Sequence, residues 1–300
     1  MRVTTGSFFD RTSGQMARLN QAAEKINDQI ATGKKITVAS DDPASFQRLA
    51  WIKRAGADNA AFAANITLAQ GVLAQADSTL ATMEEQLQRA KELTIQANSG
   101  ILSDFDRTSI AVSIDSIVED LLALSNAKDA RGQPLFAGAS GDTAFARQAD
   151  GSIAYVGADD AGDVPIGEGV SVQVTENGGR VFGGTDGGAD MFAVLQALSA
   201  ALQAGGDISG AAGDALEGLD SAIDQTVIAR SSVGARAYRL DFEADHLTDL
   251  GIDYEALRSS IEDTDLSVAI TELQKTLTVL QATQASFTKL TGLSLFDYLR

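Results

Sequence analysis

From Phe9 onward, apolar or small side chains fall at Phe9, Thr12, Met16, Leu19, Ala23, Ile26 and Ile30, alternating steps of three and four. That spacing draws one narrow stripe along a helix, the seam of a coiled coil. Ala31-Thr32-Gly33-Lys34 ends the stripe, the glycine supplying the left-handed conformation that closes a helix. Residues 34–41 read as an extended link. Ser40-Asp41-Asp42-Pro43 then starts a second helix: Asp42 is placed to cap its free amides, and Pro43 suits the first helical position, where no amide hydrogen is needed.

The longest seam follows. Phe62, Ile66, Ala69, Leu73, Ala76, Leu80, Met83, Leu87, Ala90, Thr94 and Ala97 keep heptad spacing without a break, which makes a helix on the order of 60 Å long. After Asn98-Ser99-Gly100, Ser103 with Asp106 three residues on has the form of a capping box, and Ile110, Ile114, Ile117, Leu121 and Leu124 form a shorter seam. An antiparallel helical hairpin is expected.

Around Arg131-Gly132-Gln133-Pro134 the period changes from helical to alternating. Asp150-Gly151 sits before Ile153 and Tyr155 as a hairpin turn would, and Val170, Val172 and Val174 share one strand face. Helical pattern returns at Asp190 with Phe192, Leu195, Leu198 and Leu202. It pauses over residues 205–213 and resumes through Leu216, Leu219, Ile223 and Val227 toward Leu247. The last seam is Leu266, Ile270, Leu273, Leu277, Leu280, Gln284 and Phe287, followed by an apolar ending that contains Leu295 and Phe296.

The pattern predicts a mainly α protein: an elongated helical coiled-coil or bundle rod formed by the N- and C-terminal segments, with a small β-rich inserted domain in the middle. Its parts are an N-terminal coiled-coil helix (1–40), a long helical hairpin (41–137), a β-rich insert (138–189), returning helices (190–260) and a C-terminal coiled-coil helix (261–300). Narrow stripes bury little area alone, so the terminal segments need each other and further partners. The expected assembly seam is Met16, Leu19, Ala23, Ile26 and Ile30 on one side, with Leu266, Ile270, Leu273, Leu277, Leu280, Phe287, Leu295 and Phe296 on the other.

Composition narrows the function. A net charge of -18 repels the phosphates that a nucleic-acid or anionic membrane partner would present. The chain has no cysteine and a single histidine, His246, which leaves no disulfide or thiolate metal site and little for histidine-based catalysis. It has no membrane-spanning apolar run, and its first residues lack the apolar core of a cleavable signal peptide.

The sharper chemical readings each meet a simpler one. Gly33-Lys34-Lys35 is not a phosphate loop, because position 28 is Asp where that motif has glycine. Asp41 and Asp42 could pair as glycosidase carboxylates, but a cap ahead of Pro43 explains them locally. The acidic runs at 159–163 and 183–190 lack the ordered ligand spacing of a calcium loop and read as solvated loops. Trp51, beside Lys53 and Arg54, reads as packing for the start of the long helix, and His246 as a surface histidine. No catalytic residue, metal site or cofactor is expected.

The segments Ala31-Thr32-Gly33-Lys34-Lys35-Ile36, Ser40-Asp41-Asp42-Pro43, Leu135-Phe136-Ala137-Gly138, Val233-Gly234-Ala235-Arg236 and Gly292-Leu293-Ser294-Leu295-Phe296 resemble those of the bacterial flagellin family of axial proteins. The resemblance implies a structural motility subunit, secreted through the flagellar type III apparatus without a cleaved signal. Its terminal helices would form an inner coiled-coil layer and its insert would face outward. Pro43 after the aspartates and the Gly-Leu-Ser-Leu-Phe ending point to the hook-filament junction, with a flagellin-type filament subunit as the alternative. The implied partners are further copies of the chain, hook-associated protein 1, flagellin, and a cytosolic export chaperone on the C-terminal helix. An adhesin acting through the insert is the reading from a different class.

Overall fold

The computed structural model describes residues 2–99, 102–185 and 188–298, with side chains over 7–99, 102–185 and 188–289. Among the described residues seven helices and four strands follow in order: α1 (Arg2–Thr32), α2 (Pro43–Ala97), α3 (Asp104–Ser125), β1 (Phe145–Arg147), β2 (Ile153–Tyr155), β3 (Asp163–Gly167), β4 (Val170–Gln173), α4 (Gly178–Val181), α5 (Met191–Ala204), α6 (Ser209–Glu262) and α7 (Leu266–Tyr298). They divide into two compact units. One holds Met1–Asp58 with Leu250–Arg300, the other Asn59–Asp249.

The second unit is organised by the long seam. Every expected position on α2 from Ile66 to Ala97 is buried, and Phe62 is half-buried. Ile110, Ile114, Ile117 and Leu121 of α3 and Phe192, Leu195, Leu198 and Leu202 of α5 are buried in the same unit. Helix α6 returns antiparallel to α2, as its cross-links show. Gln70 Nε2 donates to Asp241 at 2.7 Å, Arg230 reaches Asp77 at 3.2 Å and Glu84 at 2.7 Å, and Lys91 pairs with Asp220.

The face α6 turns inward differs from the expected one. Ala212, Ala215, Leu219, Ala222, Thr226, Ala229, Val233, Leu240 and Leu247 are buried. Leu216 and Ile223 are only half-buried, and Val227 is exposed. The small residues mark the contact because they let two backbones approach, whereas a search for large apolar side chains follows the flank. The helix also runs on to Glu262, past the point where apolar periodicity fades.

The ends of these helices follow local rules. Ser103 Oγ accepts from the Asp106 amide at 3.3 Å while Asp106 Oδ2 accepts from the Ser103 amide at 3.2 Å, both halves of the capping box. Ser103→Ala is expected to destabilise the second unit by about 1 kcal/mol, read as a shift in its urea midpoint with unchanged slope.

The insert consists of two antiparallel hairpins, β1-β2 and β3-β4. Asp150 Oδ1 accepts from the Ser152 amide and hydroxyl across the first turn. Phe145 is buried against Phe182, Phe192 and Tyr155, with ring centroids 5.2–6.2 Å apart. The Leu-Phe-Ala-Gly segment has a packing reason: Leu135, Phe136 and Ala137 are buried, and Gly138 has φ 64. A Cβ at Gly138 would lie 2.3 Å from the Ala158 carbonyl oxygen, so only glycine fits.

Side chains tie this insert to the rest of its unit, Asn126 through the Ala144 and Phe145 backbone and Gln196 through the Gly151 carbonyl among them. Asn65 Nδ2 donates to the Pro165 carbonyl at 2.8 Å, and Arg147 pairs with Glu119. Arg236, from the Val-Gly-Ala-Arg segment, donates to the Gln173 carbonyl at 2.9 Å and pairs with Glu176. Burial lowers the Arg236 pKa, and the adjacent Glu176 supplies the opposing charge a buried cation requires.

Candidate assembly interface

Within the first unit α1 and α7 run antiparallel. The Thr264 amide donates to the Gly33 carbonyl at 2.8 Å at one end, and the Phe9 and Phe287 rings lie 5.0 Å apart toward the other. On α1 the covered positions include Thr12, Met16, Leu19, Ala23, Ile26 and Ile30, the stripe expected from sequence. On α7 they are Ala269, Leu273, Thr276, Leu280, Thr283 and Phe287.

The expected α7 stripe shares Leu273, Leu280 and Phe287 with that line. Its other members, Leu266, Ile270 and Leu277, stand one step round the helix and are 49, 46 and 41% exposed. On the opposite flank Val268 and Val279 are exposed as well. The side chains of Leu295 and Phe296 lie outside the described residues. The apolar arc of α7 is therefore wider than one partner helix covers. Along the described parts of the pair only Ala23, Ala269 and Leu280 are buried, so the pair leaves much apolar surface for further partners to cover.

The loop between α1 and α2 explains the Thr-Gly-Lys and Ser-Asp-Asp-Pro segments. Gly33 closes α1 with φ 69. Asp41 Oδ2 accepts from the Thr37 and Val38 amides at 3.1 and 3.2 Å, and its other oxygen meets Lys25 of α1 at 2.8 Å. The Lys25 hydrogen bond, then those amides, hold its carboxyl far below the usual range. Asp42 caps α2, accepting from the Ala44 and Ser45 amides at 3.1 Å each, and Pro43 is the first helical residue. Both aspartates are thus committed to the loop, and His246 is exposed on α6.

Glu262 is the residue that sequence reasoning missed. It ends α6, is 2% exposed, and receives Lys34 at 2.9 Å, Lys53 at 3.0 Å and Arg258 at 2.9 Å. Burial raises its carboxyl pKa, and the three cations outweigh that and bring it to about 2. Around it the Lys35 amide donates to the Glu262 carbonyl at 2.8 Å, and Lys35 Nζ to the Ser260 carbonyl at 3.0 Å. The carboxylate joins the start of the α1-α2 loop to the end of α6, where α7 departs. Two of its cations come from the other end of the chain, Lys53 from 209 residues away, so no local motif announces it.

The arrangement is one of packing surfaces and ion pairs. Among the described residues no group of three or more carboxylates and histidines is gathered as metal ligands, and no helix is long and apolar enough to cross a membrane.

Comparison with known proteins agrees with this geometry. Residues 2–141 match the bacterial flagellin N-terminal helical region and residues 216–299 the bacterial flagellin C-terminal helical region. The chain is 27% identical to flagellar hook-associated protein 3 of Escherichia coli and 25% identical to that of Salmonella typhimurium, in each case over 99% of both chains. Its fold is similar to the crystal structure of flagellar hook-associated protein 3 from Legionella pneumophila, with a TM-score of 0.64 over 70% of this chain and 98% of that one at 17% identity. Matched at both ends by the regions that define the family, and folded with those ends paired, the chain belongs to the bacterial flagellin family and is a structural protein of the flagellum, not an enzyme.

Proposed function

We propose that the chain is the junction subunit between hook and filament, held in place by its terminal helices. The observation that carries this reading is the likeness to hook-associated protein 3, which spans 99% of both chains and includes the ends as well as the insert. The terminal pair supports it. The exposed Leu266, Ile270 and Leu277 need neighbours that a single copy does not supply. Those neighbours are the terminal helices of further copies and of adjoining axial proteins, hook-associated protein 1 on one side and flagellin on the other. Before export, the same α7 stripe is the surface a cytosolic chaperone would cover.

A filament subunit is the second reading, favoured by the match to flagellin helical regions themselves. The two differ in copy number and in consequence. Deleting the gene is expected to leave hooks without filaments while filament subunits escape into the medium, with a few copies per flagellum in the wild type. Full filaments on the deleted strain would refute the junction reading, and thousands of copies per filament would identify the filament subunit.

A further inference from the structure

Charge is divided unevenly along the chain. Residues 1–58 carry nine basic and six acidic side chains, a net of +3, whereas residues 59–300 carry fourteen and thirty-five, a net of -21. Several cations of the first stretch are matched internally: Lys25 by Asp41, Lys34 and Lys53 by Glu262. Arg48 and Arg54 are not. Both are exposed on α2, and their guanidinium groups make neither an ion pair nor a hydrogen bond with any described residue.

They lie three residues to either side of Trp51, on the same helix face. Trp51 is 61% exposed, and Tyr254 meets it edge-on with centroids 6.3 Å apart. A large ring already held on a rigid helix loses little freedom when it is covered. Tryptophan and arginine are also the residues over-represented where binding energy concentrates.

The second unit carries the complement. On α6 Tyr238 and Phe242 are 76 and 69% exposed, and the same line continues in steps of three and four to Asp245 and Asp249. Both carboxylates are exposed and unmatched among the described residues. Like charges four apart on a helix repel, and an opposing cation relieves them.

We propose that the Arg48, Trp51 and Arg54 face of one copy docks on the Phe242, Asp245 and Asp249 stripe of a second copy, rings against rings and guanidiniums against carboxylates. The two patches differ, so the contact is head-to-tail and repeats from copy to copy into a closed ring or a helical path. This rests on the chain being an assembling flagellar subunit.

The test is charge reversal in cells whose only source of the chain is the variant, read as the amount recovered in sheared flagella. Arg48→Glu with Arg54→Glu is expected to lower incorporation at least tenfold, as is Asp245→Arg with Asp249→Arg. Combining all four in one chain restores it to within twofold. As a check independent of folding, Arg54→Cys and Asp245→Cys, introduced on separate copies of this cysteine-free chain, form an intermolecular disulfide in assembled flagella. Normal incorporation of either reversed pair, failure of the combination to restore it, or absence of the disulfide overturns the proposed contact while leaving the junction reading in place. Absence of the wild-type chain itself from flagella overturns the junction reading, and the contact with it.

Discussion

Leu277→Asp is expected to abolish incorporation into flagella while leaving the purified chain as helical and as stable as the parent, whereas Leu280→Asp unfolds the terminal pair itself. The two leucines are one turn apart, and the difference lies in what covers them. Leu277 is 41% exposed in the single chain and Leu280 8%. An aspartate at position 277 faces solvent in the monomer, where such changes stay within about 0.5 kcal/mol. It becomes costly only when a neighbour's apolar surface closes over it and the charge must be desolvated without a partner. At 280 the cost arrives on folding, about 3 kcal/mol for the lost side chain and the buried carboxylate together. Circular dichroism of the purified chains and immunoblots of sheared flagella separate the cases. Normal incorporation of Leu277→Asp would exclude the exposed α7 stripe as an assembly surface.

That pair of residues also shows how far the sequence could be read. Wherever large apolar side chains recur along a seam, as Ile66, Leu73, Leu80, Met83 and Leu87 do between alanines on α2, and as isoleucines do on α3, periodicity named the buried positions almost residue by residue. On α6 and α7 the contact lines include Ala212, Ala215, Ala222 and Ala229, and Ala269, Thr276 and Thr283. Hydrophobicity alone leans from these toward the larger neighbours at Val227 or Leu277. The bias is physical: close helix packing selects small residues, and the large ones beside them stay exposed in the single chain. In a subunit made to assemble, two kinds of stripe lie side by side, one for the chain's own partner helix and one left open, and periodicity cannot sort them.

The motifs divide in the same way. Asp42 with Pro43 and the capping box at Ser103 were legible because each acts on amides within three residues. The Leu-Phe-Ala-Gly and Val-Gly-Ala-Arg segments could be recognised as family resemblances but not explained, because their reasons lie elsewhere in the chain. Gly138 is set against the Ala158 carbonyl and Arg236 against Glu176.

Glu262 is the extreme of that class, and it gives a large and pH-dependent expected effect on the stability of the first unit. Its carboxyl lies at about 2, below the ordinary 4.5. A carboxylate lowered on folding contributes stability that is fully present above its unfolded pKa and is lost as pH falls through its folded one. The loss therefore runs from about pH 4.5 down to about 2. Each pKa unit corresponds to about 1.4 kcal/mol, so the full shift would give roughly 3 kcal/mol. Lys34 and Lys53 are 42 and 50% exposed, and solvent screening of those pairs reduces the expectation to about 2 kcal/mol. Glu262→Gln should accordingly raise amide exchange in α1 and α7 roughly thirtyfold at pH 7. The difference from wild type should shrink as the pH is lowered through that window, because the parent then loses what the variant already lacks. Equal exchange at pH 7, or a difference that persists unchanged at pH 2, would mean that the three cations do not depend on this carboxylate to hold the ends of the chain together.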